Sequence, residues 1–177
     1  MKQVFLSYHD IHTDCIKLAK LIKKKYKPKK LILISRGGLI PGSIIANYLG
    51  IQDIDVIALK TYSDRKKNTD IKIFKRIKSE KKLVVIDDLV DSGATAKIVK
   101  DMMPNSKFFV LYAKTSGKKQ ADLHLYDFKD KDWLVFPWEQ DKIFIFILLR
   151  YLSVYTLYIE HHRGQHTIVS NFALFNN

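Results

Sequence analysis

Two unbroken apolar runs, Leu31–Ile34 and Leu83–Ile86, interrupt a chain whose apolar positions otherwise recur with helical or strand spacing. Such a run between polar flanks predicts a strand covered on both faces. From His9 to about Lys25, Ile11, Cys15, Leu18, Ala19 and Ile22 recur at helical spacing and predict an amphipathic helix; a short strand is expected before it at Val4–Ser7. The first apolar run ends in Ser35-Arg36-Gly37-Gly38, and a helix follows from about Pro41 to Leu49. Pro41 suits its first turn and Gly50 the residue just past its end. Ile54–Leu59 is the next expected strand. Residues Thr61–Lys82 are polar and lysine-rich around Ile71, Ile73 and Phe74, which predicts a mobile loop followed by a short ordered piece. The second apolar run opens into Asp87–Thr95, then a helix to about Met103, a strand at Lys107–Ala113 and a weaker one at Leu123–Tyr126.

Strand alternating with helix at this spacing predicts an α/β fold: a mostly parallel twisted sheet with helices on both faces. Right-handed crossovers then set the strand-to-helix loops along one edge of the sheet.

Composition narrows the setting. A chain of 177 residues, 47% hydrophobic and 28% charged, fits one domain with a real core. Cys15 is the single cysteine, so no disulfide framework exists and a reducing compartment is expected. The start of the chain has too short an apolar stretch for a secretory signal. The net charge of +13 attracts anions, whether nucleic acid, small phosphorylated substrates or an anionic membrane surface. Its densest cluster, Lys23, Lys24, Lys25, Lys27, Lys29 and Lys30, reads as a solvated helix end that complements the dipole. Only Tyr26 interleaves it, so nucleic acid is not the expected partner.

The chemistry concentrates in two loops after the buried strands, where doubly wound sheets place ligands. In Asp87–Thr95, Gly93 permits close approach of backbone to a ligand, Ser92 and Thr95 offer hydroxyls, and the following helix turns free N–H groups toward the loop. Lys97 is neither preceded by Gly nor followed by Ser or Thr, so this is no P-loop. Asp87, Asp88 and Asp91 beside an anion cradle make electrostatic sense if a cation and sugar hydroxyls lie between, as with a sugar phosphate and Mg²⁺. A single capping Asp would be unremarkable; three acids in five positions are not. In Ser35-Arg36-Gly37-Gly38, the glycines free the backbone and Arg36 can grip phosphate oxygens.

The stretch Val84-Val85-Ile86-Asp87-Asp88-Leu89-Val90-Asp91-Ser92-Gly93-Ala94-Thr95 resembles the phosphoribosyl pyrophosphate (PRPP) signature of type I phosphoribosyltransferases. Ile34-Ser35-Arg36-Gly37-Gly38-Leu39-Ile40-Pro41-Gly42 and Phe136-Pro137-Trp138-Glu139 resemble the small bacterial members that use xanthine and guanine, with matching spacing from about Tyr8 to Asp141. The resemblance implies that Asp91, Ser92, Gly93, Ala94 and Thr95 hold the 5′-phosphate, with Asp88 toward Mg²⁺ and Asp87 near the ribose hydroxyls. It also implies that Arg36 and Gly37 bind pyrophosphate, with Ser35 in the same PRPP site and a cis peptide at Ser35–Arg36. By the same resemblance Trp133 would stack on the purine, the Leu134 carbonyl would accept from the group at C2, and Lys114 would donate to the 6-oxo oxygen, which would exclude adenine. The mechanism implied has Arg36 neutralising the departing pyrophosphate and Asp91 as the candidate to take or steer the purine N7 proton.

The implied activity is transfer of phosphoribosyl from PRPP to guanine, xanthine or hypoxanthine, in a cytoplasmic homotetramer. Alternatives are a hypoxanthine-preferring enzyme and a PRPP-sensing, nucleic-acid-binding regulator of the same fold. The organisation implied is a catalytic domain over 1–141, with a flexible loop at about 61–75 and a base-recognition segment at 114–139, then an atypical tail over 142–177. Thr69 stands where the family has an arginine that touches pyrophosphate, which leaves Arg65, Lys66 or Lys67 to substitute. In the tail, Ile143–Ile159 is apolar and aromatic around Arg150, at the lower edge of a spanning length. It suits a final strand with an interfacial helix, which leaves peripheral membrane association open. His161, His162 and His166 match no common ligand spacing.

Overall fold

The structure, a computed structural model, describes residues 2–62, 70–73 and 83–139. Arg65, Lys66, Lys67, Thr69, Phe74 and the tail over 142–177 lie outside the described residues. In chain order the elements are β1 (Gln3–Phe5), α1 (Tyr8–Lys25), β2 (Lys30–Ser35), α2 (Leu39–Leu49), β3 (Ile54–Tyr62), β4 (Asp70–Ile73), β5 (Leu83–Val90), α3 (Ala94–Met102), β6 (Lys107–Lys114), β7 (Tyr126–Phe128) and β8 (Trp133–Val135). The chain divides into two compact units, Met1–Val135 and Phe136–Asn177. Of the second, the described part is a short turn in which the Phe136 and Trp138 rings stack at 4.9 Å and the Glu139 N–H donates to the Phe136 carbonyl.

The first unit is built on a six-stranded sheet in the order β4-β3-β2-β5-β6-β7, parallel throughout except for β4, which runs antiparallel to β3. Strand residues alternate faces, and each face is covered. Ile32, Ile34, Val85, Phe108 and Val110 join Ala96, Val99 and Met103 in one buried cluster, so α3 covers that side. On the other side a Cβ at Gly42 of α2 would run into the Leu33 side chain, and Tyr26 at the end of α1 packs its ring 4.7 Å from that of Phe109. Helices therefore lie on both faces, as the element pattern predicts.

Local chemistry explains the helix ends. Ser7, expected in the first strand, caps α1 instead: the Asp10 N–H donates to Ser7 Oγ at 3.2 Å and the Ser7 N–H donates to Asp10 Oδ2 at 2.9 Å. Gly50 closes α2 just past its last residue, as the sequence predicts, and does so in the left-handed conformation (φ 69°). The buried carboxylate of Asp14 accepts from the Tyr112 hydroxyl at 2.9 Å and the Tyr126 hydroxyl at 3.1 Å, and pairs with Lys17 at 2.9 Å, which pins α1 to β6 and β7.

Other boundaries depart from the sequence pattern as well. Asp87 and Asp88, expected in a loop, lie inside β5. The strand expected at Leu123–Tyr126 is β7 at Tyr126–Phe128, and Leu123 makes only an isolated bridge to Phe109. The segment expected as a loop at 61–75 contributes Thr61 and Tyr62 to β3 and all of β4. One pairing has no counterpart in the pattern at all: β1 and β8 form a separate two-stranded parallel sheet. Among the described residues no helix is long and apolar enough to cross a membrane.

Candidate active site

The adjacent strands β2 and β5 send the chain to opposite faces, β2 to α2 on the Leu33 face and β5 to α3 on the other. Beyond their carboxyl ends lies the crevice that doubly wound sheets use for ligands. The β2–β5 ladder stops at Leu33–Ile86, whereas β5 stays paired with β6 as far as Val90–Ala113. The last residues of β5 thus leave one edge toward the turn that follows β2.

That turn is pressed onto β5. The Ser35–Arg36 peptide is cis, Arg36 is exposed, and the Gly38 N–H donates to the Ile34 carbonyl at 2.8 Å to start α2. A Cβ at Gly37 would stand 2.6 Å from Cγ of Asp88, and one at Gly38 would collide with the Ile86 carbonyl oxygen. Glycine is required at 38, where backbone meets backbone, whereas at 37 the neighbour is the Asp88 carboxyl end, which a side chain would displace. The turn thus sets Gly37 against the Asp88 side chain, with Arg36 exposed beside it in the same turn.

Asp87 and Asp88 point to opposite faces of β5, so they cannot serve one purpose together. Asp87 is buried; loss of hydration, then the neighbouring Asp88 charge, raises its pKa well above the usual carboxylate range. Its Oδ1 accepts the Asp88 N–H at 3.0 Å, while Asp88 Oδ1 accepts the Leu89 N–H at 2.7 Å. Among the described residues no three His, Cys, Asp or Glu side chains gather as a complete metal site. Asp88, half-buried beside Gly37, is instead a single carboxylate of the kind Mg²⁺ takes when substrate oxygens and water complete its shell. The residues fit that ion.

Past Val90 the chain forms the anion cradle. Gly93 adopts φ 86°, a conformation that disfavours any side chain, and α3 begins at the next residue. Ser92 Oγ accepts from the Ala94 N–H at 3.4 Å, and the first turn of α3 directs its remaining N–H groups and positive dipole end at the loop. Asp91, Ser92, Gly93, Ala94 and Thr95 line a pocket of about 250 Å³ there.

The fourth part is the end of β6. Lys114 is almost fully buried, and its Nζ stands 3.1 Å from Oδ1 of Asp91, which is 65% exposed. A buried ammonium is retained where an anion compensates its lost hydration. The same Nζ lies 6.0 Å from the centre of the Trp133 ring. Trp133 is half-exposed at the start of β8, held by its N–H to the Lys2 carbonyl at 2.8 Å, while Leu134 beside it is buried and paired in register with Val4. An open indole face, a buried cation and an exposed carboxylate thus converge from three separate segments next to the cradle.

Sequence reasoning missed the supports of this corner. Ser116 Oγ donates to the Asp91 carbonyl at 3.2 Å, the Ser116 N–H donates to Asp130 Oδ1 at 2.9 Å, and Gly117 and Gln120 lie directly against the Asp91–Gly93 backbone. The only signal was a glycine soon after a buried strand, which an ordinary turn explains equally well.

Comparison with known proteins adds the family. The family model Phosphoribosyl transferase domain matches residues 6–141. The chain is 31% identical over 141 residues to a xanthine-guanine phosphoribosyltransferase of Idiomarina loihiensis, covering 78% of this chain and 88% of the relative. Among solved structures it resembles a xanthine-guanine-hypoxanthine phosphoribosyltransferase of Helicobacter pylori (28% identity, TM-score 0.66, 81% of this chain and 97% of the other). A purine phosphoribosyltransferase of Pyrococcus horikoshii is similar at 28% identity and TM-score 0.65, over 78% of this chain and 95% of the other.

Proposed function

The chain belongs to the phosphoribosyl transferase family, and from that premise we propose that it is a purine salvage enzyme. It transfers the 5-phosphoribosyl group of PRPP to a 6-oxopurine, guanine, xanthine or hypoxanthine, and releases pyrophosphate with GMP, XMP or IMP. The observation that carries the base class is the position of Lys114: a buried cation between the Asp91 carboxylate and the Trp133 ring. Such a donor satisfies a 6-oxo oxygen and meets the amino group of adenine with nothing to accept its hydrogens.

Each segment has a task. The amides and hydroxyls of Asp91–Thr95 hold the 5′-phosphate at the positive end of α3. Arg36 and the Ser35–Gly37 backbone hold the pyrophosphate, and Arg36 stabilises charge as the bond to C1 breaks ahead of base attack. Asp87 faces the ribose hydroxyls, and Asp88 would hold Mg²⁺, which would supply charge neutralisation for the leaving pyrophosphate. Trp133 stacks on the purine, Lys114 orients it by the 6-oxo oxygen, and the Leu134 carbonyl accepts from its C2 substituent. Asp91 then accepts the purine N7 proton, a contribution of about 10²–10⁴-fold. A cytoplasmic setting and a homotetramer belong to the same proposal and are supported by the family alone.

Purified protein given PRPP, Mg²⁺ and one base at a time tests this directly. Nucleotide is expected from the 6-oxopurines and not from adenine. No turnover with any base, accompanied by tight RNA or DNA binding, would point to a PRPP-sensing regulator instead.

A further inference from the structure

We propose that Asp130, Ser116 and Gly117 form a positioning strut that fixes where Asp91 stands relative to Trp133, so that purine stacking and the proton step at Asp91 are set by one structure. The inference rests on the proposed purine transfer and goes beyond it by naming residues that touch neither substrate.

Asp91 is held in two ways. Its side chain is held by Lys114, but Lys114 must turn its Nζ toward the base oxygen during catalysis, and that hold is then shared or lost. Its backbone is held by the turn after β6. Ser116 Oγ donates to the Asp91 carbonyl at 3.2 Å. Gly117 lies so close that an added Cβ would strike the same carbonyl oxygen and stand 2.8 Å from its carbon and 2.9 Å from the Gly93 nitrogen. A glycine that admits backbone against backbone, with an ordinary negative φ, is there for the close approach.

The other end of the strut is Asp130. Its Oδ1 accepts the Ser116 N–H at 2.9 Å, and this bond first of all holds its carboxyl below the usual range. Asp130 sits in the turn that leads into Trp133. That turn is closed by the Lys129 N–H on Asp132 Oδ2 at 3.1 Å and the Asp132 N–H on the Lys129 carbonyl at 2.9 Å. A connected path therefore runs from the stacking ring through Asp130 and Ser116 to the proton acceptor. Small displacements of a catalytic group are costly, about 10²-fold for ~1 Å.

The test is steady-state kinetics with guanine on wild type, Asp130→Ala, Asp130→Asn and Gly117→Ala, each checked for native circular dichroism. Asp130→Ala is expected to lower kcat about 10-fold, with KM for PRPP within about 2-fold, because Asp91 is displaced while the cradle remains. Asp130→Asn keeps an oxygen that accepts from the Ser116 N–H, and it is expected to restore kcat to within about 2-fold of wild type. Gly117→Ala is expected to cost about 10²-fold in kcat; if it does not fold, the Asp130 pair decides alone. Wild-type kcat in Asp130→Ala, or equal losses in the Ala and Asn variants, overturns the strut and leaves purine transfer standing. An inactive wild type overturns the proposed function itself.

Discussion

Lys114 and Asp91 show how much rests on single side chains. The lysine is buried beside an exposed acid, an arrangement stable only while the pair or a substrate compensates the ammonium. Lys114→Ala should lower kcat/KM for guanine by about 10–100-fold, the worth of a charged hydrogen bond, and narrow the preference over adenine in a two-base competition. Asp91→Asn should lower turnover by about 10²–10⁴-fold while PRPP still binds, read by kcat against a direct binding titration; unchanged turnover would remove Asp91 from the mechanism. Asp87 makes a prediction about stability. Its folded pKa is raised, chiefly by burial, so its contribution to folding is full below the ordinary carboxylate pKa of about 4 and is lost as pH climbs from there through the raised folded value. Asp87→Asn should therefore melt higher than wild type at pH 8, show a flatter dependence of Tm on pH above about 4, and be catalytically impaired. A lower Tm at pH 8 would mean that the carboxylate is compensated in the free protein.

At the scale of elements, apolar runs were legible and their polar ends were not. β2 and β5 announce themselves because a strand covered on both faces has almost no polar position. Hydropathy ends β5 at Ile86, yet its backbone goes on pairing with β6 through Asp87, Leu89 and Val90. The strand continues into residues chosen for chemistry rather than burial, so the pattern stops where the site starts. β8 was illegible for another reason: three residues pair with β1 from the far end of the described chain, and no local period encodes so distant a partner. The cap of α1 was misassigned because Ser7 follows apolar residues without a break and reads as strand. Ser7→Ala should lower Tm by about 2–4 °C without changing kcat, the usual cost of a lost cap.

For the whole molecule, the arrangement of strands places the chemistry. Two adjacent strands diverge to opposite faces, and this alone gathers Arg36, Asp88, Asp91 and the α3 cradle at one edge. The signature residues were readable in the sequence because they are contiguous; the convergence of Lys114 and Trp133 on Asp91 is a product of the fold, foreseen only through family likeness. The net charge of +13 is consistent with drawing in PRPP, a small polyanion. The central claim is that the carboxylates and amides at the end of β5 take up a sugar phosphate together with its cation. Calorimetric titration of PRPP into the protein, with Mg²⁺ present and again with Mg²⁺ chelated, measures that claim directly. Binding at least about 10-fold tighter with Mg²⁺, a coupling of ~1.4 kcal/mol, is predicted; PRPP binding indifferent to Mg²⁺, or none in either condition, would contradict it.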